Sequence, residues 1–246
     1  MLNIFITILG LAISVAVSAD IIIVGDSHTV GPFGDNLHKN LAQMHPGKLI
    51  AVFGHSSSAP VHWVSKTPVK LTGGLNHHLS YNGLYLPHPN QPNWRIPQDS
   101  IGLVSVLDNP VYHQAWKLKV PVKPELNTII FALGANDRGA VSTNTGARTS
   151  EYKKRVDILD KMLIEIEQRG LKCLWIGPPS SPTGSQAMET TTHEYIVEGI
   201  KERCPMFDSR KFVAKFCDQV HFNCPPAMPM AFQWAKEAAD FINANL

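Results

Sequence analysis

The sequence predicts an α/β domain whose sheet is mostly parallel and covered by helices on both faces. Two observations carry that expectation. Short apolar runs rich in β-branched residues end abruptly in glycine and small polar residues, as strands buried on both faces do. Between them lie longer stretches with apolar residues at helical spacing, and strand–helix alternation of this kind closes into a parallel sheet. A chain of 246 residues suits one large domain, and 44% hydrophobic with 17% charged residues favours a packed core over disorder. A formal net charge of +2, without a run of like charges, argues against a nucleic-acid partner, which would need a clustered basic face.

The elements come in chain order. Asp20 to Gly25 reads as the first strand, and Gly34 to Met44 as a helix with Leu37, Leu41 and Met44 on one face. "KLIAVFG", Lys48 to Gly54, is a second strand. "NTIIFALGAND", Asn127 to Asp137, is a third apolar run that breaks into small polar residues. The stretch from Glu151 places Val156, Leu159, Met162, Leu163 and Ile166 on one helical face and ends at Gly170, which suits a C-cap. "LKCLWIGPP" is a fourth strand, Thr191 to Arg203 a helix, and Pro205 to Ser209 a short fifth strand. Ala231 to Leu246 is amphipathic through Trp234, Ala235, Ala238, Phe241 and Ile242.

Two regions depart from this alternation. Met1 to Ala19 has no charged side chain, an apolar core from Ile4 to Val17, and small residues at Val17 and Ala19 before Asp20. It falls short of the ~20 apolar residues that span a bilayer and reads as a cleaved signal peptide. The mature protein is then a single domain, 20–246, secreted or periplasmic and without a stable membrane anchor. The other region, Pro60 to Pro124, shows no convincing element, yet holds half of the eighteen prolines. It also holds Trp63, Tyr81, Tyr85, Trp94, Tyr112 and Trp116, six of the ten Trp and Tyr residues. So many aromatics suit an ordered insertion, at about 60–125, beside the active end of the sheet. Trp63, Tyr81, Tyr85 and Trp94 are its candidate substrate-binding residues.

Export makes the cysteines readable. Cys173, Cys204, Cys217 and Cys224 allow three pairings and lack the paired spacing of a zinc site. Proximity in sequence favours Cys217 with Cys224, which leaves Cys173 with Cys204. The histidines His55, His62, His77, His78 and His88 show no zinc spacing either, so neither metal nor cofactor is expected.

Four small polar motifs carry the chemistry. "GDSH" (Gly25 to His28), "GHSSS" (Gly54 to Ser58) and "GAND" (Gly134 to Asp137) close three predicted strands, and "DQVH" (Asp218 to His221) precedes the last helix. Parallel strands project their carboxyl ends to one side, where open α/β sheets bind ligands. Together the motifs supply what acyl transfer requires. Ser27 is the candidate nucleophile, His221 the base, and Asp218 the carboxylate that orients the imidazole, within reach at three residues' distance. The backbone N–H groups of Ser27 and Gly54, with the Asn136 amide, are candidate oxyanion donors. Asp26 reads as a turn residue, Asp137 as a helix cap, and His28 as a pocket wall.

On these four blocks, in this order, the chain resembles the SGNH hydrolases, or GDSL esterase/lipase family, over nearly all of the mature sequence outside the insertion. Position 28 is His where the family name has Leu. The resemblance implies a flavodoxin-like three-layer sandwich with a five-stranded parallel sheet. It also implies a serine esterase working through an acyl-enzyme. Loop aromatics suit stacking on sugar rings, and the family includes carbohydrate deacetylases, so an O-acetyl ester on a carbohydrate or cell-wall glycan is the expected substrate. The alternatives are a lipase or lysophospholipase, acyl transfer to a sugar hydroxyl, and a non-catalytic glycan-binding module.

Overall fold

The structure, a computed structural model, describes residues 20–64, 75–81, 84–85, 126–213, 218 and 220–246. The strands are β1 (Asp20–Gly25), β2 (Leu49–His55), β3 (Leu75–Tyr81), β4 (Leu84–Tyr85), β5 (Leu126–Ala132), β6 (Lys172–Ile176) and β7 (Met206–Phe207). They form one sheet in the order β4-β3-β2-β1-β5-β6-β7. Its five strands β2, β1, β5, β6 and β7 are mutually parallel, as the alternation predicts.

The insertion adds to this sheet. Residues from Pro60 onward, read from the sequence as lacking regular elements, contain the short helix α3 (Pro60–Val64) and the strands β3 and β4. β3 pairs antiparallel with β2 from Leu49↔Tyr81 to His55↔Leu75, and β4 pairs with β3. "LNHHLSY" has no apolar run to announce a strand. Its conformation comes from the open edge of β2, whose backbone N–H and C=O groups need partners.

The remaining helices are α1 (Ser27–Val30), α2 (Pro32–Met44), α4 (Arg138–Val141), α5 (Glu151–Gln168), α6 (Gln186–Ile200) and α7 (Met228–Asn245). α2 and α7 begin two and three residues before the expected boundaries. Each has proline in its first turn, where a fixed φ and a missing N–H cost nothing. α6 begins five residues early because the Ser185 side chain caps it, accepting the N–H of Met188.

Two apolar layers enclose the sheet. Ile22, Val24, Phe53, Phe131 and Trp175 pack with Leu159, Met162 and Leu163 of α5 and Tyr195 and Ile196 of α6. On the other face Ile21, Ile23, Val52, Ile130 and Leu174 pack with Leu37 and Leu41 of α2 and Trp234, Ala235 and Ala238 of α7. Period-two alternation along β1 thus serves both layers. Phe33 stacks on Trp234 with ring centroids 3.6 Å apart, and the indole N–H donates to Ser209 Oγ at 2.8 Å. These contacts fix α7 and hence the end of the loop that leads into it from β7.

Cys173 on β6 is bonded to Cys204, just before β7, as expected. Closing a loop of 31 residues stabilises the fold by about 3–4 kcal/mol in the chain-entropy model. The expected bridge from Cys224 to Cys217 involves a residue outside the described ones, as does the signal peptide, 1–19. Among the described residues no helix is long and apolar enough to cross a membrane.

Candidate active site

β1 lies between β2 and β5, and at its carboxyl end Gly25 is level with Gly54 of β2 and Ala132 of β5. The strand order reverses at β1, so ligands are expected in the crevice beyond these ends. The sheet therefore gathers three of the four motifs without any help from their own side chains.

The first motif turns directly into α1. Asp26 caps that helix, its carboxylate accepting the His28 N–H at 3.0 Å, while its own N–H donates to the Ala132 carbonyl at 3.2 Å. Burial pushes the Asp26 carboxyl up to about 6, against the His28 hydrogen bond and the positive Arg138. Its turn-stabilising role is the one expected from sequence. Ser27 opens α1 and is half-buried. Gly54 lets α1 settle on the sheet, because a Cβ there would lie 2.9 Å from the backbone of Thr29 and Val30.

The fourth motif folds on itself. Asp218 Oδ1 accepts the backbone N–H groups of Val220 at 2.9 Å and His221 at 2.8 Å. This turn leaves Oδ2 at 2.6 Å from His221 Nδ1. Slight burial would raise the Asp218 carboxyl, but the His221 ring and the two backbone N–H groups hold it down to about 2. It is thus an acceptor at neutral pH, and Nδ1 must carry the proton it receives. In the neutral ring the other nitrogen, Nε2, then has the free lone pair that a base needs, and it stands 2.8 Å from Ser27 Oγ. Residues 194 apart in sequence form one chain of hydrogen bonds, Ser27 to His221 to Asp218.

Asn136 sits in a three-residue 3₁₀ turn, Ala135–Asp137, after β5. Gly134 enters that turn at φ 124°, and a Cβ there would press on Ile196 at 2.7 Å. The Asn136 side chain is exposed, and its amide donates to the Ser58 carbonyl at 2.8 Å. Ser58 Oγ in turn donates to the Gly25 carbonyl at 3.2 Å. Ser58 therefore ties Asn136 to the end of β1, the strand that leads into Ser27, a role missed in sequence, although the small polar run "GHSSS" marked the place.

Other expectations fare differently. His28 is a wall, 5% exposed, with its ring 5.5 Å from that of His221. Burial and the neighbouring His221 lower it to about 3, so it is neutral. Asp137 makes no side-chain cap bond to α4; it is buried and accepts Tyr195 O–H and Arg155 instead. Trp63 requires a correction. It is 1% exposed, in the core layer that includes α5, because α3 packs against that helix, so it offers no face to a substrate. Tyr81 and Tyr85 lie on β3 and β4, where only the backbone is described, and Trp94 lies outside the described residues.

A cleft of about 340 Å³ opens beside Ser27 and His221, walled by Val30, Pro32, Phe33, Ser56, Phe222 and Asn223. Of these only Ser56, within "GHSSS", lay in a motif marked by the sequence; the weak signal for Phe222 and Asn223 was adjacency to His221. Among the described residues no three metal-binding side chains cluster. His55 donates from Nδ1 to the Ser56 carbonyl at 2.6 Å, and His62 Nδ1 accepts the Ala59 N–H at 2.8 Å. His77 and His78 lie on β3, where only the backbone is described, and His88 lies outside the described residues.

No protein-family model matches the chain, and no curated protein matches it in sequence. Solved structures do match. An acetyl xylan esterase, AlAXEase, has a TM-score of 0.52 at 12% identity over 92% of this chain and 99% of that one. The psychrotrophic esterase EstA from Pseudoalteromonas sp. gives 0.46 at 11% identity over 91% and 98%. What the likeness to AlAXEase shows is a shared fold: the α/β sandwich with a five-stranded parallel sheet that the resemblance to SGNH hydrolases led us to expect.

Proposed function

We propose that the chain is an exported serine esterase of the SGNH type that removes O-acetyl groups from a carbohydrate. The observation that carries this reading is the chain of hydrogen bonds from Ser27 Oγ through His221 to Asp218, at 2.8 and 2.6 Å. In the reaction His221 Nε2 takes the Ser27 proton as Oγ attacks the ester carbonyl. Asp218 stabilises the imidazolium, which then protonates the departing sugar oxygen as its bond to the acetyl carbon breaks, releasing the sugar hydroxyl. The acetyl group remains on Ser27 until water, activated by the same imidazole, releases acetate. Fold likeness to an acetyl xylan esterase supports the choice of substrate. The Cys173–Cys204 bridge supports an oxidising compartment and so export.

The test is a panel of esters. Nitrophenyl acetate should be hydrolysed faster than nitrophenyl octanoate, and an acetylated xylan should release acetate. Preference for octanoate would favour a lipase instead. Binding of the glycan without any turnover would leave only a binding module.

One variant examines the oxyanion assignment. The Asn136 amide uses one N–H on Ser58 and has a second to offer. Asn136→Ala should lower kcat by roughly 10²–10³ with KM little changed, since the negative charge it stabilises develops only in the transition state. A rise in KM alone would place Asn136 in substrate recognition.

A further inference from the structure

The exposed amide of Asn136 stands on a turn with little internal support. The turn spans three residues, closes with one backbone bond from Asp137 N–H to Gly134 O at 3.1 Å, and comes after a glycine at positive φ. Its far end, by contrast, is firmly anchored. The Asp137 side chain is 1% exposed, yet its carboxylate does not cap α4. It accepts the Tyr195 O–H of α6 at 2.5 Å and the Arg155 guanidinium of α5 at 2.9 Å. Arg138, the next residue, pairs with Glu189 of α6 at 2.9 Å and donates to the Pro179 carbonyl. A carboxylate buried without capping a helix is a costly way to hold a core together, since apolar side chains of similar volume do so as well or better. It is an effective way to fix one point of the backbone in three dimensions.

We infer that Tyr195 and Arg155, acting through Asp137, are positioning residues that set the Asn136 amide where it can meet the developing oxyanion. Tyr195 is wholly buried, and Arg155 reaches Asp137 from a different helix, so the turn is held from two directions. Burial raises the Asp137 carboxyl while Tyr195 and Arg155 oppose that rise, so both partners also favour its ionised form. The inference rests on the proposed esterase reading for its consequence in rate, but not for its geometry.

Tyr195→Phe removes only the hydroxyl and keeps the ring in the core. We expect kcat for nitrophenyl acetate to fall about 10-fold with KM unchanged, as for a sub-ångström displacement of a transition-state donor. In an Asn136→Ala background the same substitution should leave kcat where it was, because the group it positions is gone. The side-chain amide resonances of Asn136, identified by their loss in Asn136→Ala, should shift in Tyr195→Phe; this readout needs no substrate. A Tyr195→Phe protein with a lowered Tm but wild-type kcat and an unmoved Asn136 amide would overturn the inference. So would losses that simply multiply in the double variant. Should Tyr195→Phe not fold, Arg155→Lys carries the same expectations. Should the wild type cleave no ester, the esterase reading falls, and the amide resonances still decide this one.

Discussion

Ser27→Ala should abolish ester hydrolysis in a protein that is otherwise folded. The loss in kcat should be on the order of 10⁶-fold, as for removal of a serine nucleophile, leaving what the oxyanion donors and binding provide alone. The fold should barely register the change. Ser27 is half-buried at the start of α1, the cap of that helix is supplied by Asp26, and alanine fits where serine stood. Circular dichroism and Tm should therefore match the parent while the nitrophenyl acetate assay reads near background. A folded Ser27→Ala protein with parental turnover would remove the nucleophile from the proposal. Retained affinity for an acetylated glycan in the same variant would separate binding from chemistry.

Asp218→Asn should cost about 10⁴-fold in kcat although the substitution is nearly isosteric. The geometry of the turn gives the reason. One oxygen of Asp218 is committed to the N–H groups of Val220 and His221, and the other faces His221 Nδ1. An asparagine keeps the turn only by leaving its oxygen on the backbone and pointing its NH₂ at Nδ1. The imidazole must then hold its proton on Nε2, where it meets Ser27 as a donor instead of a base. The flipped amide would restore the tautomer but set its NH₂ against two backbone donors. Either way the base is lost or misplaced. A loss of less than about tenfold would mean that Asp218 does not orient His221 in the reaction.

Much of this site was legible in the sequence because its chemistry needs particular side chains at the ends of particular strands. The runs "DIIIVG" and "TIIFA" read as buried strands, and the polar residues after them could then share one edge of a parallel sheet. The three-residue spacing of Asp218 and His221 announced a local contact, and the structure closes it through the Asp218 turn. Trp63 was misread for a physical reason. An aromatic residue in a proline-rich segment looks like a surface ring, and nothing local shows that α3 will bury it against α5. Asp137 was misread in the same way, since an aspartate before a helix looks like a cap until Tyr195 and Arg155 arrive from 58 and 18 residues away.

By itself, then, the sequence determined the five parallel strands, most of the helices and the chemical identity of the candidate nucleophile, base and carboxylate. These depend on periodicity and on short-range geometry, which a single chain displays openly. The tertiary structure alone decided the pairing of β3 on the free edge of β2, the burial of Trp63, the use of Ser58 as a tie for Asn136, and the buried pairing of Asp137. Each of these is a contact whose energy belongs to two distant segments at once. No local preference of either segment encodes it.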